Sequence, residues 1–578
     1  MQSANPKLRI AILGAGPSGL TAIKTCVEYN LEPICFEKYH DIGGLWNYKP
    51  NSSWGEASVM KSTIINTSKE AQAFSDFPPD PQYPNFMHNS ILLQYFRQYA
   101  DHFDVLKYIN FKTEVVAVTR CSDYDATGDW NVTFKPVDGP ESDKRTERFN
   151  GVMICTGHHT APYMPTFQGL DKFQGTVLHS SQYKSVDKRF IDKRSLVIGL
   201  GNSGGDIAVE LGRNGVSKQV YISTRRGTWV INRVENFGLP VDVANMTRFK
   251  FWITDNLFTL TNWLTQRHLE ARFDHEKYGI KPSYGPLEQH PFIQDDLPNR
   301  LLSGGVKIRP DIDYFDQNGV TFVDGTHEEV DVVIVCTGYL FGFPFLEPDV
   351  ISIEENRPNL YKYMYAPNIA HPKTLGVIGL IQPYGSIMPI SEMQCRVFCA
   401  AVAKELQLPS VPAMVTDIIE KREKMSKRYV SSRRHTIQVD YVTFMQELSE
   451  LVGCTPPSLL ECLKVGDLKL ATALTFGPLL PYAFRIRGPH SWPLARGVLF
   501  TAMDRVWAPF GKAGDREKFS KFGVSASKSA DMNMVAENLN NATSNINIER
   551  GWFVGISVVL LLWAYFLMQF VSRNEGMA

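Results

Sequence analysis

The sequence predicts an α/β chain with two dinucleotide-binding Rossmann-like domains, the second inserted in the first, followed by a C-terminal transmembrane helix. Three stretches predict this: ILGAGPSG near the start, VIGLGNSG well downstream, and the apolar run WFVGISVVLLLWAYFLMQFV near the end. A chain of 578 residues exceeds a single hydrophobic core, so several domains are expected.

The first unit reads KLRIAILGAGPSGLTAIKTCVEYNLEPICFEK: an apolar strand, a glycine turn, a helix-length stretch and a second short strand. In its G-x-G-x-x-G loop, Gly14 permits the tight turn, Gly16 lets the backbone approach a pyrophosphate, and Gly19 lets helix and strand pack closely. Ala15, Pro17 and Ser18 complete the loop, and the following helix N-terminus faces the phosphates. Glu37 ends the second strand about 20 residues on, where a carboxylate accepts hydrogen bonds from both ribose hydroxyls. A free 2′-hydroxyl is therefore favoured there, as in FAD or NAD.

A polar, proline-marked region follows, including DFPPDPQYPNF, then a helical stretch from about Leu92 to Tyr108. Two hairpin-like runs, YINFKTEVVAVTR and DWNVTFKPV, lead to the buried strand GVMICTG.

The second unit, SLVIGLGNSGGDIAVELGRNG, repeats the glycine spacing with Gly199, Gly201 and Gly204. Its second strand ends in STRRG, so Ser223, Thr224, Arg225 and Arg226 stand where Glu37 stood. A carboxylate would repel a 2′-phosphate, whereas arginine and hydroxyls bind it through charge-assisted bonds, so this site selects NADP. Two such sites on one chain imply electron transfer from NADPH to a bound flavin. The nine cysteines contain no C-x-x-C pair and no zinc spacing, which leaves no thiol acceptor and points to a reducing, cytosol-facing compartment. Dioxygen or an external carrier remains as the electron acceptor.

An aromatic insert, FKFWITDNLFTLTNWLTQRHLEARF, fits either packing on a membrane or a core-facing amphipathic helix. The buried strand DVVIVCTGY comes next. The expected organisation is a first FAD-binding segment over 1–165 and an NADP-binding domain over 166–335, its helical insert near 235–300. A second FAD-binding segment over 336–450 and a helical region over 451–514 follow. A flexible tether over 515–550, rich in Ser, Asn and Lys, leads to a transmembrane tail anchor over 552–571. That last run has about 20 residues without formal charge, which spans about 30 Å as a helix, one bilayer core. No signal peptide is expected, because the apolar run near Ile10 is only a strand long. Lysine plus arginine equals aspartate plus glutamate at 60 each, which argues against nucleic acid as a partner.

Between the glycine loops, FQGTVLHSSQY spaces Phe173, Gly175, His179 and Tyr183 as F-x-G-x-x-x-H-x-x-x-Y. Alone, His179 invites an acid–base role. The position of the box between two nucleotide domains favours a structural one, with Gly175 turning the chain and the three rings packing. His158 and His159, after GVMICTG, either titrate near a flavin or hydrogen-bond within a loop.

Together with IGGLWNY at 42–48 and KSTIINTSKE, these motifs, in this order, resemble the animal flavin-containing monooxygenases, the microsomal, N-oxide-forming dimethylaniline monooxygenase type. The resemblance covers essentially all the chain except the tether. The box ends in Tyr183-Lys184, where the similar Baeyer–Villiger monooxygenases usually have tryptophan and proline. The resemblance implies FAD and NADPH as cofactors, with dioxygen adding to the flavin to give a 4a-hydroperoxide that N- or S-oxygenates soft nucleophilic amines and sulfides of xenobiotic type. Baeyer–Villiger oxygenation of ketones, uncoupled NADPH oxidation, and a non-catalytic membrane-tethered redox sensor are the alternatives.

By the same resemblance, Asn66 is the catalytic residue, beside flavin and nicotinamide. An amide offers donor and acceptor without a titrating proton, which suits keeping a hydroperoxide intact. Thr67 accompanies it, Leu45 and Trp46 lie against the flavin, and Gln382 closes over the isoalloxazine. Asn202, Ser203, Gly204, Gly205 and Asp206 attend the NADP phosphates, with Thr224 and Arg225 at the 2′-phosphate. The resemblance also implies an endoplasmic reticulum membrane location with the globular part facing the cytosol, where the Asn66-Thr67-Ser68 sequon stays unmodified. Partners are then small nucleophilic molecules, dioxygen and the membrane; a homo-oligomer is compatible.

Overall fold

The computed structural model describes residues 6–430 and 435–511. Two five-stranded sheets organise them. The first has the order Leu375–Val377, Gly151–Ile154, Arg9–Leu13, Glu32–Phe36, Ile109–Asn110, parallel throughout. The second has the order Val306–Arg309, Gln219–Ser223, Arg194–Ile198, Val332–Val335, Thr176–His179, again parallel throughout. All five strands of the second sheet lie in the chain between Ile154 and Leu375 of the first, so one unit is inserted in the other.

The central strands are apolar because both faces are covered. Ile10, Ala11 and Ile12 are fully buried in one sheet, and Leu196 and Val197 in the other. The helix Met388–Val402 is buried along its whole length and packs against the helix Pro17–Glu28. Gly151 and Gly376 make room for this, since a Cβ at either would press on the ring of Phe398. The 451–511 region is no separate layer: Leu470, Leu474, Tyr482, Phe484 and Val498 belong to the same core as the first sheet.

The two hairpin-like runs form an antiparallel sheet, Thr113–Arg120, Trp130–Pro136 and Arg145–Phe149. The helix expected to run to Tyr108 stops sooner, at Asn89–His102. There Asp104 turns to φ 50 and the amide of Val105 bonds back to the carbonyl of Ala100, which closes the helix. The aromatic insert divides into two helices, Arg248–Asn256 and Phe258–Arg272, broken at Leu257 with φ -130 and ψ 45. Within them Leu269 is buried with Trp229 and Ile293 and Phe251 packs on the main core, while Trp252, Leu260, Trp263 and Leu264 stay exposed. The tether and the apolar run 552–571 lie outside the described residues. Among the described residues no helix is long and apolar enough to cross a membrane.

Candidate functional site

The two glycine loops share the contacts of their first and third glycines. Gly14 has φ +103, and a Cβ there would stand 2.8 Å from the carbonyl oxygen of Cys155. Gly199 also has φ +103, with its Cβ position 2.8 Å from the carbonyl oxygen of Cys336. A Cβ on Gly19 would lie 1.8 Å from the oxygen of Gly14, and one on Gly204 2.1 Å from the oxygen of Gly199. Each loop is therefore clamped between its own helix and the Cys-Thr-Gly end of the adjacent strand. That pairing of ICTG with GAGPSG and of VCTG with GLGNSG is legible as a repeat once the sheets are seen.

Gly16 differs from Gly14 and Gly19. The nearest atom to a Cβ there is Gly44 Cα at 3.7 Å, ordinary contact, so close packing within the protein does not require this glycine. It caps a helix that has no side-chain cap and no acidic residue in its first turn, which leaves the N-terminal amides to an anion. Glu37 stands beside this loop, 6% exposed, accepting from the amides of Ala15 at 2.7 Å and Tyr39 at 2.9 Å. Burial pushes its pKa up, against those two bonds and nearby Lys49. An open cradle at Gly16 with a fixed carboxylate at its rim fits the pyrophosphate and ribose of FAD.

The turn Gly44–Trp46 lies on this cradle, tied by the amide of Gly43 to the carbonyl of Ala15 at 3.1 Å, and it carries Leu45 and Trp46, both half-buried. From the other side, Gly379 at φ +78 approaches the hydroxyl of Ser18 so closely that a Cβ would come within 2.8 Å of it. Gln382 follows in the strand Gln382–Tyr384, held parallel to Gln438–Asp440. The structure thus brings Ser18 together with the segment leading to Gln382.

In the second unit, Gly204 and Gly205 face inward, Gly205 against the ring of Phe292. The carbonyl of the Asn202 side chain accepts from the amide of Ile293 at 2.9 Å, and Asp206 accepts from the side-chain amide of Gln294 at 2.8 Å. These two side chains hold residues 291–294 of the insert against the helix Asn202–Leu211, while Ser203 stays exposed. Burial lifts the Asp206 carboxyl to about 6, opposed by the guanidinium of Arg233 and assisted by Glu210 and Asp295. Thr224, Arg225 and Arg226 open onto a cavity of about 930 Å³ that also draws Lys277, Lys281 and Lys307 to its wall. So basic a cavity, at the place where the first unit has Glu37, fits a 2′-phosphate.

Asn66 lies at the seam between the units. Its side-chain carbonyl accepts from Nη2 of Arg233 at 2.7 Å, and Arg233 is itself fixed by Asp295 through Nη1 at 2.7 Å and through its backbone amide at 2.9 Å. The next residues are pinned too: the Thr67 hydroxyl donates to Gln72 at 3.0 Å, and the amide of Ser68 to buried Asp242 at 2.6 Å. Sequence reasoning missed Arg233 and Asp295. The only signal was their place in the insert, NRVENFG and IQDDLPN, at positions carrying no motif.

His179 is fully buried. Its Nδ1 accepts from the amide of Ser181 at 3.1 Å, so Nε2 carries the hydrogen and donates to the carbonyl of Gly338 at 3.1 Å. Burial lowers its pKa. The box is structural in each member: Phe173 packs on Gly175, the strand Thr176–His179 is the edge of the second sheet, and Tyr183 is buried against Phe190. Just after it, the Lys184 carbonyl accepts from the amide of Lys61 at 2.7 Å, joining the box to the stretch that leads into Asn66. His158 bonds the backbone of Gly379, and burial lowers its pKa to about 4.

All nine cysteines are free, and the sulfurs of Cys26 and Cys399 meet at 3.7 Å within the buried core. Eight are buried and Cys336 is half-buried, and burial pushes the thiols of Cys35, Cys155, Cys395 and Cys399 up.

Residues 7–534 match the family model described as FMO-like, flavin-binding monooxygenase-like. The chain is 48% identical to flavin-containing monooxygenase 5 of Rattus norvegicus over 508 residues, 87% of this chain and 93% of that protein. It is 42% identical to flavin-containing monooxygenase 2 of Homo sapiens over 521 residues, 89% of this chain and 95% of that one. Among solved structures, S-allyl-L-cysteine S-oxygenase from Allium sativum shares the fold with a TM-score of 0.59 at 19% identity, covering 94% of this chain and 99% of that one. Two clamped glycine loops, a carboxylate rim on one and a basic wall on the other agree with that kinship: the chain belongs to the flavin-binding monooxygenase-like family and is an NADPH-dependent FAD monooxygenase.

Proposed function

We propose that the protein N- or S-oxygenates soft nucleophilic small molecules, amines and sulfides, with NADPH and dioxygen, and that Asn66 is the residue that keeps the oxygen-transfer step coupled. Bound FAD, once reduced by NADPH, supplies the activation of dioxygen. The carrying observation is the Arg233–Asn66 bond of 2.7 Å. With Oδ1 committed to Arg233, the Nδ2 hydrogens of Asn66 are the donor that side chain offers a ligand, in a fixed orientation and with no proton to lose.

The other residues bind and orient. Gly14, Gly16, Gly19 and Glu37 hold FAD, with Leu45, Trp46, Thr67 and Gln382 around the flavin. Gly199, Gly201 and Ser203 face the NADP phosphates, and Thr224 and Arg225 the 2′-phosphate. Asn202, Gly204, Gly205 and Asp206 support that site by seating the insert on its helix.

A thioether and a linear ketone, offered separately with NADPH, test the reaction class. Sulfoxide from the first supports the reading; ester from the second without sulfoxide overturns it in favour of Baeyer–Villiger oxygenation.

The membrane location belongs to the same proposal. The apolar run 552–571 anchors the chain to the endoplasmic reticulum, and the apolar side chains of the insert, Trp252 and Trp263, exposed at 56% and 51%, suit contact with the bilayer surface. Carbonate-washed membranes retain the full chain if this is right, and release it if it is wrong.

A further inference from the structure

The loop that carries Asn66 is fixed from a third direction, by the C-terminal segment, through charges with no access to water. Glu70, four residues after Asn66, and Arg505, in the helix Ala502–Trp507, are both 0% exposed. Nε of Arg505 donates to the two carboxylate oxygens of Glu70 at 3.0 and 3.2 Å, Nη2 donates to the carbonyl of Pro79 at 2.6 Å, and the hydroxyl of Tyr482 donates to Glu70 at 3.0 Å. The side-chain amide of Asn85 adds a bond to the carbonyl of Val506 at 2.9 Å. Glu70 lies in a turn that starts two residues after Asn66: the amide of Gln72 bonds the carbonyl of Ser68 at 3.1 Å, and the Thr67 hydroxyl, next to Asn66, bonds the Gln72 side chain.

Burying two charges of this kind costs about as much as their pairing returns, so such a pair is poor at adding stability. What it does supply is direction, because an unpaired carboxylate or guanidinium has no other acceptable place in that core. We infer that Arg505, acting through Glu70, is a positioning residue for Asn66, and that the C-terminal segment is thereby part of the oxygenation site rather than only its support. A displaced Glu70 would carry the 66–72 turn with it and break the register between Asn66 and Arg233. This inference rests on the role of Asn66 given above.

The test uses the full-length, flavin-loaded enzyme with Arg505→Lys and, as a second variant, Glu70→Asp, both of which keep the charges and change only reach and geometry. Four readouts are taken: flavin content per chain, the rate of flavin reduction by NADPH, product and hydrogen peroxide formed per NADPH consumed, and hydrogen exchange of the 66–72 amides. The expected result is unchanged flavin content, an unchanged rate of flavin reduction by NADPH, a fall of threefold or more in product per NADPH with hydrogen peroxide making up the difference, and faster exchange at 66–72. Product per NADPH equal to the parent overturns the inference. So does loss of flavin in step with activity in both variants, which would leave the pair a structural element alone. If Asn66→Asp is itself fully coupled, the reading of Asn66 fails first; if Asn66→Asp uncouples and Arg505→Lys does not, only the present inference fails.

Discussion

Arg233 donates to the side-chain carbonyl of Asn66 at 2.7 Å across 167 positions of sequence, and this bond joins the insert of the second unit to the loop that borders the first. It fixes which end of the Asn66 amide is offered to a ligand. A carboxylate at the same position would attract Arg233 more strongly and offer no donor at all.

Asn66→Asp is therefore expected to keep FAD and NADPH oxidation while product per NADPH falls at least about tenfold, the scale of removing one well-placed donor. Parallel assays of NADPH, peroxide and product decide it; full coupling in the variant would remove Asn66 from its role.

Arg225→Ala should narrow the preference for NADPH over NADH. Loss of one charge-assisted bond to phosphate is worth about 2 kcal/mol, roughly 30-fold in the ratio of kcat/KM values. An unchanged ratio would transfer the task to another cation of the basic wall, such as Lys281 or Lys307.

The glycines of the first loop should separate by role. Gly16→Ala meets nothing nearer than 3.7 Å within the protein, so the chain is expected to fold and to lose FAD affinity. Gly19→Ala would place a methyl 1.8 Å from the Gly14 oxygen, and about 3 kcal/mol or more of stability should go with it. Thermal melts with and without added FAD distinguish the two.

The Asp206 carboxyl is lifted to about 6, and its neighbours are Arg233, Asp295, Glu210 and the Gln294 amide. Between the unfolded value near 3.9 and that folded value, the folded state binds more protons, so this group favours folding below about pH 4 and loses that contribution as pH rises through 6. The Tm of Asp206→Asn minus that of the parent, measured without added nucleotide, should increase from pH 4 to 7. A flat difference would contradict a carboxyl whose pKa burial has raised.

His179 should not titrate in turnover. Burial depresses its pKa, so its contribution to folding is complete above its unfolded value near 6.5 and is lost only as pH falls through the lower folded value. His179→Gln is expected to be less stable, with a pH–rate profile of unchanged shape between pH 6.5 and 9. Disappearance of one limb of that profile would restore an acid–base role.

The sequence by itself determined both nucleotide loops, their order, the switch from Glu37 to Arg225, and the family. Those features are local: a turn that only glycine permits, and a charge at a strand end a fixed distance on, are written in a few consecutive residues. It also placed the box between the domains, though not the way His179 spends both ring nitrogens on Ser181 and Gly338. Arg233, Asp295, Glu70 and Arg505 carry no motif, because each acquires its meaning from a partner far along the chain. The tertiary structure decided that Asn202 and Asp206 seat the insert, and that the insert's aromatic helices leave Trp252 and Trp263 exposed while Phe251 and Leu269 pack inward. It also decided that the C-terminal segment closes on the Asn66 loop. A glycine's conformational freedom belongs to one position in the sequence, whereas the orientation of an amide or the pairing of a buried charge exists only when two distant segments are packed together.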